Sequence, residues 1–162
     1  MLYIAYGSNM NKSQMAFRCP KAKPLGGALL YGWRLVFRGV ADIIEDKSSM
    51  CPIGLWELTD ECEKALDRYE GVPHLYSKVW LTKGDKSYLT YIMNSNNYHL
   101  PSKPYFDGIR QGYEDFFGNK NMTDKLMFLE DALRFTENQK GEYGIGGHFP
   151  KRFKDKPLKY SS

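Results

Sequence analysis

Cysteine, histidine and long apolar runs are scarce in this chain of 162 residues. It has three cysteines and three histidines, with no Cys-x-x-Cys pair and no histidines at metal-ligand spacing. A disulfide framework, a zinc site and a Ser-His-Asp hydrolase are therefore disfavoured. No apolar run approaches the ~18 residues of a membrane span, and the N-terminus has no basic region before a cleavage site. We expect reduced thiols and a cytoplasmic protein with no membrane partner.

The chain also lacks a broad excess of basic charge. Its 23 Lys and Arg residues outnumber 19 Asp and Glu residues, but residues 151–162 alone hold five basic residues and one acidic residue. The rest of the chain therefore carries no net charge. A nucleic-acid site spreads basic charge over one face of a fold, so we expect no nucleic-acid partner. The local excess is typical of a solvated tail.

Apolar sequence is plentiful enough for one core. Hydrophobic residues make up 42% of the chain and aromatic residues 15%, and a chain of this length folds without disulfide support. We expect a single domain over residues 1–150 and a basic C-terminal tail over residues 151–162. Strands and helices follow one another without a regular βαβ rhythm. This predicts an α+β fold, with a mixed, partly closed small β-barrel and packed helices.

Local sequence patterns place the individual elements. A continuous apolar run predicts a short buried strand over residues 2–6. Apolar and β-favouring residues predict strands over 29–40 and 52–58, and a hairpin over 75–81 and 87–93. Capping residues and apolar stripes predict four helices, which begin at about Asn11, at Thr59 or Asp60, at Ser102, and at Thr123 or Asp124. The second of these helices ends near Glu70. Residues 141–147 and the basic tail are expected to be irregular.

Two short segments are candidates for chemistry. The loop Tyr6-Gly7-Ser8-Asn9 follows the first strand, and loops at strand ends often carry function. Glu70 ends a helix, where its negative charge opposes the helix dipole by ~0.3–1 kcal/mol. Each segment also has an ordinary structural explanation, because Gly-Ser-Asn suits any tight turn and a terminal Glu is commonly solvated.

Three segments together resemble the γ-glutamylcyclotransferase family, the AIG2-like superfamily that also contains γ-glutamylamine cyclotransferases and BtrG. Residues 3–10, Tyr-Ile-Ala-Tyr-Gly-Ser-Asn-Met, resemble the family's substrate-loop signature. Residues 66–72, Leu-Asp-Arg-Tyr-Glu-Gly-Val, resemble its catalytic segment. Residues 101–105, continued by 109–112, are similar to its Pro-Ser-x-x-Tyr helix start, whose Tyr contacts substrate. The matches run in family order to about residue 117, and residues 118–162 match no motif.

The resemblance implies cyclisation of a γ-glutamyl amino acid or γ-glutamyl amine to 5-oxoproline, with release of the amino acid or amine. It implies Glu70 as the catalytic proton shuttle, with Asp67 as the less favoured acid one turn earlier. The substrate-binding residues that it implies are Tyr3, Tyr6, Gly7, Ser8, Asn9 and Tyr105. It implies no cofactor and no metal, and a monomer or homodimer whose partner is a small-molecule γ-glutamyl substrate.

Two positions depart from the family pattern. Asp42 stands where many members have Asn, which bears on substrate contacts, and Met10 replaces a Leu of similar volume. The sequence leaves open which amine departs, and whether the loop N–H groups bind the α-carboxylate or the oxyanion on the γ-carbonyl. A non-catalytic binding or regulatory module that keeps the fold and pocket is the alternative function, and the intact Glu70 argues against it.

Overall fold

The computed structural model describes residues 1–119, 122–140, 156–157 and 159–161. Its elements follow one another in chain order. They are β1 (Leu2–Ala5), a 3-10 helix (Ser8–Met10), α1 (Lys12–Arg18), β2 (Lys23–Phe37), β3 (Ala41–Glu57), α2 (Asp60–Tyr69), β4 (Tyr76–Lys83), β5 (Lys86–Met93), α3 (Lys103–Phe117), α4 (Met122–Lys140), β6 (Lys156–Pro157) and β7 (Lys159–Ser161).

One mixed sheet joins the described strands in the order β6-β4-β5-β1-β3-β2-β7. Its centre is β1, which pairs antiparallel with β3 and parallel with β5. The other long strands pair as the antiparallel hairpins β2–β3 and β4–β5. The α+β class with a mixed sheet and packed helices is confirmed, and the described sheet is not closed.

The β2–β3 pair is longer than the sequence pattern predicted. Residues 45–50 are mostly polar and lack an apolar alternation, yet they belong to β3 because they pair with β2 or continue the paired strand. The connection of residues 38–40, here called the 38–40 turn, bends at Gly39. The φ of Gly39 is +82°, in the left-handed region that glycine adopts without strain.

The basic tail contributes two short strands to the sheet. Lys156–Pro157 runs parallel to β4, and Lys159–Ser161 pairs antiparallel with β2. The edges of an open sheet offer unpaired N–H and C=O groups, and an added strand satisfies them. The expectation of an irregular tail is therefore wrong for these residues. The predicted irregular segment at 141–147 and the predicted domain boundary at residue 150 lie outside the described residues.

Side-chain caps set the beginnings of α1, α2 and α3, as their sequence signals predicted, whereas α4 begins at Met122, just before the predicted Thr123 or Asp124. The Asn11 side chain accepts the N–H of Gln14 at 3.0 Å, and Ser102 accepts that of Tyr105 at 3.3 Å. Thr59 caps α2 in the same way. Each bond satisfies an N–H group that the helix itself leaves free.

No helix in the part of the chain described here is long and apolar enough to cross a membrane.

A glycine lets α3 approach the 3-10 helix. A Cβ at Gly112 would lie 2.7 Å from the backbone carbon of Met10 and 2.8 Å from the backbone nitrogen of Asn11. The Asn11 side chain also donates to the carbonyl of Gly108 at 3.1 Å. Because Ser8 and Asn9 of the predicted 6–9 loop belong to this 3-10 helix, the packing holds that loop in place.

We expect Gly112→Ala to destabilise the protein by roughly 1–3 kcal/mol, because the new methyl group meets backbone atoms that cannot rotate away. Gly108→Ala on the same helix is the matched control. Its Cβ meets the end of the flexible Gln14 side chain at 2.8 Å, and alanine favours a helix by about 1 kcal/mol over glycine. Urea unfolding measures both variants. Equal free energies of unfolding for the two would contradict the packing argument.

Candidate active site

All the predicted site residues line one cavity of about 580 Å³. It lies between the 6–9 loop, the 38–40 turn, the end of α2 and the start of α3. The predicted residues at its wall are Tyr3, Tyr6, Gly7, Ser8, Asn9, Glu70 and Tyr105. Three segments that are distant in sequence thus meet at a single concave surface, of the size of ~300–1,000 Å³ that small-molecule sites commonly have.

The 6–9 loop reaches the cavity through a close approach at Gly7. A Cβ at Gly7 would lie 2.9 Å from the Cβ of Ala41 and 3.3 Å from the Tyr105 hydroxyl oxygen. Met10 and Asn11 donate their backbone N–H groups to the carbonyls of Gly7 and Ser8, each at 3.0 Å. The N–H groups of Gly7, Ser8 and Asn9 precede these bonds at the beginning of the 3-10 helix, where a helix leaves its own N–H groups free. Free N–H groups at the wall of a cavity suit a negatively charged ligand group.

Asn9 connects the loop to its surroundings through every polar group of its side chain. Its Nδ2 donates to the hydroxyl of Tyr3 at 2.9 Å and to Oε1 of Glu70 at 3.1 Å. Its Oδ1 accepts from Arg18 at 2.6 Å, and its carbonyl accepts the indole N–H of Trp56 at 3.0 Å. The amide is buried, so these bonds fix both its own orientation and that of the Glu70 carboxyl.

Glu70 follows the last residue of α2 and its carboxyl is partly buried at the cavity wall. Burial raises the pKa of the Glu70 carboxyl from 4.5 to about 7, and the nearby Arg18 charge and the Asn9 hydrogen bond offset part of that rise. Near neutral pH the group therefore occupies both protonation states. A carboxyl of this kind can accept a proton and return it within one reaction.

Tyrosines form much of the remaining wall. The Tyr105 hydroxyl accepts the N–H of Ala41 at 2.9 Å, and the Tyr76 hydroxyl donates to the Ala41 carbonyl at 3.3 Å. The Tyr6 hydroxyl donates to the carbonyl of Tyr91. Burial raises the pKa of Tyr105 to about 12, so its hydroxyl stays neutral at physiological pH. These tyrosine side chains form the part of the cavity wall that joins the 38–40 turn to α3 and the sheet.

Asp67, the alternative acid, does not line the cavity. It accepts from the Tyr91 hydroxyl at 2.7 Å and from Lys78 Nζ at 3.0 Å. The Lys78 ammonium also pairs with Glu63 at 2.6 Å. Asp67 is thus engaged in a structural ion-pair cluster away from the cavity, which leaves Glu70 as the acid at the wall.

Sequence reasoning missed the two arginines of the site. Arg18 sits one helical turn from Gln14, contacts Asn9 and Ser8, and places its guanidinium 3.9 Å from the ring centre of Tyr69. The sequence signal for Arg18 was its position four residues after Gln14 on a predicted helix, the spacing at which two side chains can bond each other. Arg38 follows an apolar strand, and no motif marks it.

Asp42 is buried beside the cavity and does not line it. Its Oδ2 accepts from Nε of Arg38 at 2.7 Å, and its Oδ1 accepts the N–H of Met93 at 2.9 Å. Any influence of this family departure on a ligand is therefore indirect, through Arg38 and Met93, which Asp42 contacts and which do line the cavity.

The described residues contain no group of three or more His, Cys, Asp or Glu side chains that could hold a metal ion. The three cysteines, at positions 19, 51 and 62, are buried and unpaired.

We expect Glu70→Gln to stabilise the protein at pH 8 by on the order of 2 kcal/mol, and by much less at pH 4.5. The folded state holds the Glu70 proton more tightly than the unfolded state, so this carboxyl makes the wild type less stable as the pH rises through the interval from 4.5 to about 7. Glutamine carries no charge and keeps an oxygen for Asn9. Urea unfolding of both proteins at the two pH values measures the difference.

Glu61→Gln is the control for this experiment. Glu61 lies on the same helix, and its exposed side chain pairs with exposed Lys21. The Glu61→Gln variant should show no comparable gain in the free energy of unfolding at pH 8. A Glu70→Gln variant that is less stable than the wild type at pH 8 would contradict the conclusion that burial raises the pKa of the Glu70 carboxyl.

The comparisons with known proteins identify the family and the fold. The sequence matches the family described as gamma-glutamyl cyclotransferase, AIG2-like, over residues 3–108. A solved structure of a gamma-glutamyl cyclotransferase is 21% identical with a TM-score of 0.67, and the match covers 88% of this chain and 99% of that one. A search of curated protein sequences finds no match.

Two further solved structures share the fold. One is an uncharacterised human protein, loc79017, which is 20% identical with a TM-score of 0.62 over 93% of this chain and 91% of that one. The other is YkqA from Bacillus subtilis, which is 24% identical with a TM-score of 0.64 over 82% of this chain and 55% of that one. Identities this low show the fold alone, whereas the family match spans more than half of the chain and includes the 6–9 loop, Glu70 and Tyr105. The chain belongs to the γ-glutamyl cyclotransferase, AIG2-like family.

Proposed function

We propose that the protein cyclises a γ-glutamyl amino acid or γ-glutamyl amine to 5-oxoproline and releases the amino acid or amine. The observation that carries the proposal is the Glu70 carboxyl, which has a pKa of about 7 and is held by Asn9 at the wall of the cavity. Family membership supports an enzyme of this general class. A module that only bound the substrate ammonium would be served by a carboxylate of ordinary pKa, whereas a pKa of about 7 suits proton transfer.

The bond-forming step needs no nucleophile from the protein. The substrate's α-amino nitrogen attacks its own γ-carbonyl carbon and closes a five-membered ring. Well-oriented intramolecular attack reaches effective molarities of ~10⁵–10⁸ M. The protein's first task is therefore to hold the γ-glutamyl chain in a folded conformation, and a cavity walled by tyrosine rings and the 6–9 loop suits that task.

The second task is to move protons between two nitrogens. The α-nitrogen loses two protons on the way from an ammonium to the ring N–H of 5-oxoproline. One goes to solvent when the ammonium becomes the attacking amine, and the other is lost as the new C–N bond forms. Glu70 accepts this second proton as a carboxylate and, as a carboxylic acid, delivers it to the departing nitrogen while the γ-amide bond breaks, so the enzyme returns to its starting state. A pKa of about 7 serves both directions.

The 6–9 loop supplies donors for negative charge on the substrate. The free N–H groups of Gly7, Ser8 and Asn9 face either the α-carboxylate or the oxyanion that develops on the γ-carbonyl. Both groups lie within a few bonds of the reacting nitrogen, and Asn9 bonds directly to Glu70. Tyr3, Tyr6 and Tyr105 complete the wall around this end of the substrate.

Glu70→Gln tests the proton shuttle. We expect kcat for 5-oxoproline release from γ-glutamyl donors to fall by ~10²–10⁴-fold, because glutamine neither accepts nor donates the proton. Glu61→Gln on the same helix should retain the wild-type rate, since Glu61 is exposed and does not line the cavity. The measurement is 5-oxoproline formation by chromatography with correctly folded variants. Turnover of Glu70→Gln near the wild-type rate would reject the assignment.

Arg18→Met tests the electrostatic control of Glu70. The Arg18 charge lowers the pKa of Glu70, so its removal should raise that pKa and shift the acidic limb of the kcat/KM profile to higher pH. Lys21→Met removes the same charge at an exposed position whose partner is Glu61. Lys21→Met should leave the profile in place. An acidic limb that does not move, or moves to lower pH, in Arg18→Met is the contrary result.

A further inference from the structure

Arg38 carries a buried donor that the described residues leave unused. The Arg38 side chain is 5% exposed and the residue lines the cavity. Its Nε donates to Asp42, but its Nη1 is enclosed and donates to no acceptor among the described residues. An enclosed, charged donor without an acceptor is unfavourable by more than the ~1–3 kcal/mol of a neutral one. Nη1 is closed off from the cavity, so the atom that a ligand can reach is Nη2, which is not enclosed and has no acceptor among the described residues.

The Arg38 guanidinium is held in one orientation before any ligand arrives. Its Nε bonds to Asp42 at 2.7 Å, and its planar face lies over the Tyr98 ring at 4.6 Å from the ring centre. The backbone on both sides is also fixed, because the Arg38 N–H donates to Val40 and the Gly39 N–H donates to His99, each at 2.8 Å. Because the guanidinium is already fixed along its Nε edge and on one face, its Nη2 group can bind a carboxylate with little loss of side-chain entropy.

The cavity separates its positive charge from its acid. Arg38 is the only Lys or Arg among its described lining residues, and Glu70 is the only Asp or Glu. The cation that acts on the pKa of Glu70 is Arg18, not Arg38. The cavity is thus complementary to a ligand with an ammonium group at one place and a carboxylate at another.

A γ-glutamyl amino acid carries two carboxylates, and the two kinds of anion-binding group can be assigned to them. The N–H groups of the 6–9 loop lie beside Glu70, through the Asn9 hydrogen bond, and so serve the glutamyl end where the ring closes. The second carboxylate belongs to the departing amino acid. Arg38 lies on a separate segment of the wall, the 38–40 turn, and is the remaining group that suits it.

We propose that Arg38 binds the carboxylate of the departing amino acid and thereby selects γ-glutamyl amino acids over γ-glutamyl amines that lack this carboxylate. The inference rests on the proposed function and specifies its substrate class. It also gives Asp42 a role. Asp42 binds the Nε side of Arg38 and does not line the cavity, so it positions Arg38 without touching the substrate. A cationic departing amine is disfavoured at the same place by repulsion from Arg38.

The test compares two donors that differ only in the proposed contact, γ-glutamyl-alanine and γ-glutamyl-alaninamide. The quantity is the ratio of their kcat/KM values, acid over amide. We expect Arg38→Gln to lower this ratio by about tenfold or more, because a hydrogen bond between charged groups is lost for the acid alone. The loss should lie mainly in KM, as expected for a contact present in both ground state and transition state. Comparing ratios cancels the different intrinsic reactivity of the two departing amines.

A second pair of variants guards against misfolding, because Arg38→Gln leaves the buried Asp42 carboxylate without its partner. Asp42→Asn removes that carboxylate, and Arg38→Gln is then added to it. Asparagine keeps an oxygen that can accept from Nε of Arg38, so Asp42→Asn alone should still prefer the acid, and the double variant should lose that preference. Arg34→Gln is the matched charge control. It removes a guanidinium from β2 that pairs with Asp46 and Asp131 outside the cavity, so the ratio should not change.

The outcomes separate this inference from the proposed function. If neither these two donors nor any other γ-glutamyl compound releases 5-oxoproline, the proposed function is wrong, and the proposed Arg38 contact is overturned as well. If both donors are cyclised but the ratio is the same with and without Arg38, the contact is overturned and the proposed function stands. An equal loss of kcat/KM for both donors likewise overturns the contact, since it indicates a structural role or a contact with the α-carboxylate.

Discussion

The arrangement of the site depends on satisfying one buried amide, that of Asn9. Its nitrogen donates to Tyr3 and Glu70, its oxygen accepts from Arg18, and its backbone carbonyl accepts from Trp56. Loss of any of these partners inside a low-polarity site would leave a polar group unpaired at a cost of ~1–3 kcal/mol. The bonds therefore act together. They tie the first strand, the first helix, the sheet and the end of α2 around a single cavity wall.

The same burial that demands these hydrogen bonds gives Glu70 its chemistry. A solvated carboxyl near pKa 4.5 would be a weak proton acceptor at neutral pH, whereas burial brings the pKa of Glu70 to about 7. The sequence suggested a helix-dipole penalty for an acid at this position, but the larger cause of the raised pKa is desolvation. Arg18 and Asn9 limit the rise, so they keep a usable fraction of the carboxylate form.

Local signals were sufficient for most elements and for naming Glu70 and residues 6–9 as candidates, whereas Tyr105 was named because of the family resemblance. Caps such as Asn11 and Thr59 predicted helix starts because the bonds that they make are local. Local signals did not predict the pairing between strands that are distant in sequence. Residues 45–50 have no strand pattern, and the β2–β3 hairpin that contains them depends on hydrogen bonds from the facing strand. The short tail strands likewise exist because sheet edges are there to receive them.

The linear order of residues was enough to single out Glu70 and the 6–9 loop, since each is a contiguous motif with its own chemistry. It could not show that Asp67 points into an ion-pair cluster or that Arg38 reaches the cavity. Those facts depend on which side of α2 faces the tyrosines and on how the 38–40 turn bends over the sheet. Direction and burial arise only when distant segments pack together, and they set the charge and pKa of a group.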